Sequence, residues 1–200
     1  MSEDRDPLDR FYTPPALALA CLRWLSEHLD AGGHLYEPAA GGGAWMAAAD
    51  TLGWTVEGCD IDPEAPAVLD GWAVLSPMDA WQPRSGPGWW VTNPPYGPVD
   101  AWIALLRARA ADRGDHGVAL LMRLTAIEWL MAMEDRPHYL GTTDQRARWG
   151  GVGGEKYKSG DSCGAVLAVW RGAERLAQGE ATRCWSIPEW RPRGRRGAGR

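Results

Sequence analysis

No run of apolar residues in this 200-residue chain is long enough to span a bilayer. The first nine residues, Met1 to Asp9, are acidic and polar, which predicts no secretory signal. Cysteine is scarce and scattered. Cys21, Cys59, Cys163 and Cys184 form no CxxC pair, so neither a zinc site nor a disulfide framework is expected, and a reduced, cytoplasmic setting fits. His28, His34, His116 and His138 do not cluster at ligand spacing, so no metal is expected either. Ser162-Cys163 lacks any neighbour that would mark a nucleophile. Overall positive charge is also missing: the formal net charge is -5, which excludes a uniformly basic nucleic-acid binder. Phenylalanine occurs once against thirteen tryptophans. Tryptophan packs cores and also stacks on flat ligands such as bases, with core packing the default. No internal repeat is present.

What remains is an ordinary globular composition, 45% hydrophobic and 24% charged. The length suits one domain, residues 1–180, followed by a basic, flexible tail, residues 181–200. From Trp190 onward the tail carries Arg191, Arg193, Arg195, Arg196 and Arg200 and no acid, a pattern that neutralises phosphates or simply solubilises the end. Thr13 before Pro14-Pro15 reads as a hydroxyl cap on a helix that Gly32-Gly33 stops. Leu17, Ala20, Cys21, Trp24, Leu25 and Leu29 recur along it at helical spacing. Strands are expected near Leu35-Tyr36, Thr55 to Cys59, Trp72 to Leu75, Trp89 to Thr92, Val118 to Met122 and Ala165 to Trp170. Helices are expected at Ala44 to Thr51, Val99 to Ala111 and Ile127 to Met133. Residues 141–164, rich in glycine and carrying Lys156 and Lys158, read as a long loop. Alternating strands and helices predict an α/β fold, a mainly parallel sheet with helices on both faces. In such sheets ligands bind at the carboxyl ends of the strands.

The distinctive residues fall at those ends. Glu37-Pro38-Ala39-Ala40-Gly41-Gly42-Gly43 is a glycine-rich turn after the first strand, where a backbone can approach a ligand closely. Its spacing is not GxGxxG and it has no P-loop lysine, which disfavours dinucleotides and triphosphates. Asp60 ends the second strand, where an acid can accept from both hydroxyls of a ribose, and Ile61 beside it can cover a purine face. Asp62, before Pro63, suits a helix start. Asp79, after the third strand, can accept from an adenine amino group. Each of these acids also makes a good cap or turn residue, but together they form a nucleoside-shaped series. Asn93-Pro94-Pro95-Tyr96 follows the fourth strand. Two prolines end the ladder and stiffen the turn. The Asn93 side-chain oxygen and a proline-flanked carbonyl can then hold a planar amino group, and Tyr96 can stack on the group that bears it. Arg123 ends the fifth strand and either faces the cleft or pairs on the surface.

Taken in order, Phe11-Tyr12-Thr13-Pro14-Pro15, Leu35 to Gly43, Asp60 to Pro63, Asp79 and Asn93 to Tyr96 resemble the class I S-adenosylmethionine-dependent methyltransferases of the N6-adenine type. The compact length is similar to small phage-type DNA adenine methyltransferases, some of which serve restriction-modification. The resemblance implies a Rossmann-like fold with S-adenosylmethionine as cofactor. It implies that Tyr12, Thr13 and Pro14 line the methionine end, that Glu37, Pro38 and the Ala39 to Gly43 turn hold the amino-acid portion, that Asp60 takes the ribose, and that Ile61 and Asp79 take the adenine. Asn93, Pro94, Pro95 and Tyr96 would hold the target base, flipped out of double-stranded DNA. The glycine turn departs from the typical form, and no separate target-recognition domain fits the length. RNA adenine, a protein glutamine amide, cytosine N4 and a non-catalytic binding role stay open as alternatives.

Overall fold

The computed structural model describes residues 11–95, 99–146, 164–177 and 180–187. Helix α1 (Pro15–Leu29) buries Leu17, Ala18, Cys21, Leu22, Trp24, Leu25 and Leu29, the three- and four-residue spacing of one helix face. Its cap is Pro14, whose carbonyl accepts from the Leu17 amide at 2.9 Å, and no side chain caps it, so Thr13 is not the capping residue the sequence suggested. Pro15, already locked at a helical φ, makes a hydroxyl cap unnecessary. The helix ends two residues before the glycines: Asp30 takes φ 52° and donates its amide to the Leu25 carbonyl. A short polar residue tolerates that left-handed conformation better than a branched one.

Among the described residues, eight strands form one sheet: β1 (His34–Glu37), β2 (Thr55–Asp60), β3 (Val74–Leu75), β4 (Trp89–Thr92), β5 (Gly117–Arg123), β6 (Tyr139–Arg146), β7 (Gly164–Arg171) and β8 (Arg183–Ile187). Their spatial order is β3-β2-β1-β4-β5-β7-β6-β8. The pairs β3–β2, β2–β1, β1–β4, β4–β5 and β6–β8 are parallel, whereas β7 runs antiparallel to both β5 and β6. Strand order therefore reverses direction between β1 and β4, and a ligand crevice belongs outside their carboxyl ends.

Alternation along the strands builds two cores. Trp89, Val91, Ala119, Leu121, Leu167 and Val169 point to one face, where α1 and α2 (Ala44–Thr51) cover them. Trp90, Val118, Leu120, Val166 and Trp170 point to the other, beneath Ile103, Leu106 and Ala110 of α4 (Val99–Arg113) and Leu130 of α5 (Ile127–Ala132). Each fully buried side chain of this kind contributes roughly 1.5–3 kcal/mol. Trp24, Trp45, Trp54, Trp81, Trp89, Trp90 and Trp170 are all buried, so most of the tryptophan abundance is core. A short helix, α3 (Pro66–Leu69), and a 3-10 turn at Leu124–Ala126 complete the elements of the described residues.

Three expectations need correction. The third strand is Val74–Leu75 alone, because Ala67 carries the Trp72 and Ala73 amides on its carbonyl instead. The loop expected over 141–164 begins as strand: β6 runs to Arg146 and pairs with β7. Its polar residues are accommodated through pairing, since the buried Thr143 hydroxyl donates to the Ala165 carbonyl and accepts its amide. The break expected at residue 180 does not coincide with the end of the sheet, because β8 pairs along β6 from Arg183 to Ile187. Trp185 holds it there, stacked on Tyr139 at 5.5 Å and 15° and edge-on to Trp24. Gly141 leaves the room this packing needs: a Cβ there would stand 2.9 Å from Ile187 Cδ1. The Arg-rich segment after Ile187 and most of the expected loop, residues 147–163, lie outside the described residues. No described helix is long and apolar enough to cross a membrane.

Candidate functional site

The carboxyl ends of β1, β2 and β4 converge on a cleft lined by Phe11, Tyr12, Ala39, Gly41, Asp60, Ile61, Asp62, Ala65, Asn93, Pro95 and Trp102. It encloses about 110 Å³ and opens to solvent. A smaller recess adjoins it, bounded by Thr13, Ala39 to Gly42 and Asn93.

The glycine turn forms one wall and its shape is enforced locally. Gly41 and Gly43 take φ 48° and 74°, values that disfavour any residue with a Cβ. The Gly41 amide donates to Asp60 Oδ2 at 2.7 Å, and its carbonyl accepts from the Ala67 amide at 3.0 Å. The Tyr12 ring lies over the turn, so that a Cβ on Gly41 would stand 2.9 Å from its Cδ1. Asp60 is buried, and its other oxygen accepts from the Asp62 amide at 2.8 Å. Burial pushes its carboxyl up from the ordinary range, while those amides favour the charged form. Asp62 does not start a helix as its place before Pro63 suggested, since α3 begins at Pro66 with Ala65 as its cap; it serves a turn, accepting from the Glu64 amide at 3.0 Å. Ile61 is 63% exposed and lines the cleft.

Glu37, at the end of β1, is fully buried just beneath the turn. Its Oε1 accepts from the Ala39 amide at 3.1 Å. The buried Thr92 hydroxyl lies beside the carboxyl and favours its charged form, although Oε2 makes no hydrogen bond of full geometry. Burial pushes the Glu37 carboxyl well above its usual range, with the nearby Asp60 charge acting in the same direction. An uncompensated buried carboxylate is costly, and a cationic group arriving next to it would remove that cost.

Asn93, after β4, has its amide orientation fixed. Nδ2 donates to the Phe11 carbonyl at 2.8 Å, and the buried Oδ1 accepts nothing. The side chain is thereby left as an acceptor. Pro94 is buried behind it and Pro95 lines the cleft. Tyr96 lies outside the described residues.

Of the residues singled out in the sequence, the cleft brings together Tyr12, Ala39, Gly41, Asp60, Ile61, Asn93 and Pro95. Thr13 borders the recess. Pro14, Pro38, Gly43 and Pro94 support the walls without lining the cleft, and Glu37 sits below it. Asp79 is exposed and does not line it. The Asp79 turn is instead tied by its backbone, whose carbonyl accepts from Arg109 Nη2, with the Trp81 carbonyl accepting from Nη1 at 2.5 Å. Sequence reasoning missed Phe11 as a partner of Asn93 and Trp102 as a lining residue. The first acts through a backbone carbonyl, which leaves no mark on residue type. The second was one tryptophan among thirteen.

Solved structures identify the architecture. The chain superimposes on a protein from Listeria monocytogenes assigned as a class I S-adenosylmethionine-dependent methyltransferase, with TM-score 0.58, 8% identity, and 94% of this chain and 69% of that one covered. It is also similar to a protein from Pyrococcus horikoshii assigned as an RNA methyltransferase, with TM-score 0.59, 16% identity and coverage of 87% and 92%. A third similar structure is the 23S rRNA methyltransferase ErmE, at TM-score 0.50, 15% identity and coverage of 84% and 72%. The chain has the Rossmann-like class I methyltransferase fold. No protein-family model and no curated protein sequence matches it. At these identities the likeness concerns the fold, and within that fold the cleft occupies the switch point between β1 and β4. Among the described residues, no group of three or more histidine, cysteine or acidic side chains is placed to hold a metal ion.

Proposed function

We propose that this chain transfers a methyl group from S-adenosylmethionine to the N6 amino group of adenine in DNA. The observation that carries the reading is Asn93: its amide nitrogen is committed to Phe11, so that Oδ1 is a buried acceptor awaiting a donor. A target presenting an NH2 group satisfies it, whereas one presenting only acceptors leaves it orphaned, at a cost of about 1–3 kcal/mol.

The residues beside Asn93 suit the proposed cofactor. Gly41 on the cleft wall and Gly42 on the adjoining recess suit the amino-acid portion, and Glu37 Oε2 suits its ammonium. Asp60 retains lone pairs for ribose hydroxyls, and the exposed Ile61 suits the face of the adenine ring. When bound, S-adenosylmethionine supplies an electrophilic methyl group. Asn93 Oδ1 and the Pro94 carbonyl accept from the target amine and orient its lone pair. No strong base is required, because the amine becomes acidic only as it gains the methyl group. Pro94 and Pro95 keep this turn stiff, so the acceptors need little reorganisation. The basic segment after Trp190 favours a polyanionic substrate, and an adenine in duplex DNA would have to leave the stack to reach the cleft.

The test is methyl transfer from labelled cofactor into separate DNA, RNA and protein pools, followed by nucleoside and amino-acid analysis. Label in DNA adenine is expected. Label confined to RNA or to protein glutamine would overturn the substrate assignment.

A further inference from the structure

The cleft divides by origin. Asp60 and Ile61 come from β2, on the side of the glycine turn, whereas Asn93, Pro95 and Trp102 all belong to the unit made of β4, its turn and the first turn of α4. A molecule held by the first group meets its reaction partner at the second. Trp102 is the large flat side chain of that second group. Unlike the seven buried tryptophans, it is only half-buried. Part of the indole packs on the core under α4, and the rest contributes to the cleft wall. Of the other aromatics described there, Tyr12 is already laid over Gly41 and Gly42, and Phe11 is packed against the core that α1 covers.

We propose that Trp102 stacks on the target group and thereby restricts the acceptor to a planar aromatic amine, a nucleobase, in preference to an aliphatic side-chain amide. This rests on the reading that Asn93 accepts from the target amine. The physical argument is one of contact area. A base offers an indole a whole ring face, whereas a glutamine amide offers only a few atoms. Stacking of a base on an aromatic side chain is worth about 5- to 140-fold in binding, equivalent to roughly 1–3 kcal/mol. Helix α4 carries the indole rigidly. It is anchored further along by the buried Arg107, which donates to Asp135 at 3.1 Å and to the Glu174 carbonyl at 2.9 Å.

The experiment compares wild type, Trp102→Ala and Trp102→Phe in three measurements: S-adenosylmethionine affinity by calorimetry, kcat/KM on DNA, and affinity for a single-stranded oligo-dA against an abasic oligomer of equal length. Trp102→Ala is expected to lose about 5- to 140-fold in kcat/KM, with cofactor affinity unchanged within about twofold. It should also lose the preference for oligo-dA over the abasic strand, and Trp102→Phe should restore most of both. Equal kcat/KM in wild type and Trp102→Ala overturns the role of Trp102 while leaving the proposed reaction intact. An equal loss of cofactor affinity overturns it in favour of cofactor contact. Wild-type protein that binds cofactor yet methylates only glutamine overturns both.

Discussion

Replacing Gly41 by alanine tests whether the cleft wall is built as described. Two costs combine there. The left-handed backbone at φ 48° disfavours a Cβ by about 1–2 kcal/mol. The new methyl would also stand 2.9 Å from Tyr12 Cδ1 and 3.1 Å from Cε1, so the ring must move, which adds an overpacking cost of about 1–3 kcal/mol. Gly53 provides the control, since it has φ 74° and nothing within 4 Å of its would-be Cβ. Gly53→Ala should therefore destabilise by about 1–2 kcal/mol and Gly41→Ala by about 2–5 kcal/mol. At this chain length each kcal/mol lowers Tm by about 2–4 °C. Urea denaturation of Gly41→Ala, Tyr12→Ala and the double variant closes a cycle whose coupling should equal the steric share, about 1–3 kcal/mol. If Gly41→Ala costs no more than Gly53→Ala, or the coupling is zero, Tyr12 does not cover the glycine turn.

Glu37→Gln should separate stability from binding. Burial raises the Glu37 carboxyl in the folded state, so the folded protein holds that proton more tightly than the unfolded chain does. Stability from this group thus falls as pH rises from the unfolded value of 4.5 through the raised folded value. The glutamine variant should be more stable than wild type at pH 8, by about 1–3 kcal/mol, and the difference should shrink towards pH 4. Cofactor affinity should fall by about tenfold or more. A variant less stable at pH 8, measured by urea denaturation, would refute the uncompensated charge. Asp115→Ala should be severe, because this buried carboxylate accepts from the Gly88 amide at 2.9 Å, Trp90 Nε1 at 2.7 Å and Arg113 Nε at 2.9 Å. A loss of about 3–5 kcal/mol is expected on thermal or urea unfolding, and a loss below about 1 kcal/mol would show that the neighbouring donors find other partners.

Much of this architecture is written in local patterns. The spacing of Leu17, Cys21, Trp24, Leu25 and Leu29 marks α1, and the apolar runs at Trp89 to Thr92, Val118 to Met122 and Ala165 to Trp170 mark strands that are buried on both faces. The glycine turn, Asp60 and Asn93 were legible because each follows such a run. Strand β6 was not, since Gly141, Thr142 and Thr143 give no apolar alternation and depend on pairing with β7 and on Ile187 packing over Gly141. Strand β8 was hidden for a related reason. Arg183, Cys184 and Ser186 are exposed, and besides its pairing with β6 the strand rests on the core through Trp185 and Ile187. Within the site, backbone groups and tertiary approach determine what residue types cannot show. The Phe11 carbonyl orients Asn93 across more than eighty residues, and Arg109 ties down the backbone of the Asp79 turn while the carboxylate itself stays exposed.

The most direct test of methyl transfer at Asn93 is mass spectrometry of nucleosides from DNA incubated with S-adenosylmethionine and either wild-type protein or Asn93→Ala. Wild type should yield N6-methyladenine, and Asn93→Ala should yield none while still binding the cofactor. N6-methyladenine produced by Asn93→Ala, or cofactor affinity lost to the same extent as in Asp60→Ala, would contradict the assignment of Asn93 to the target amine.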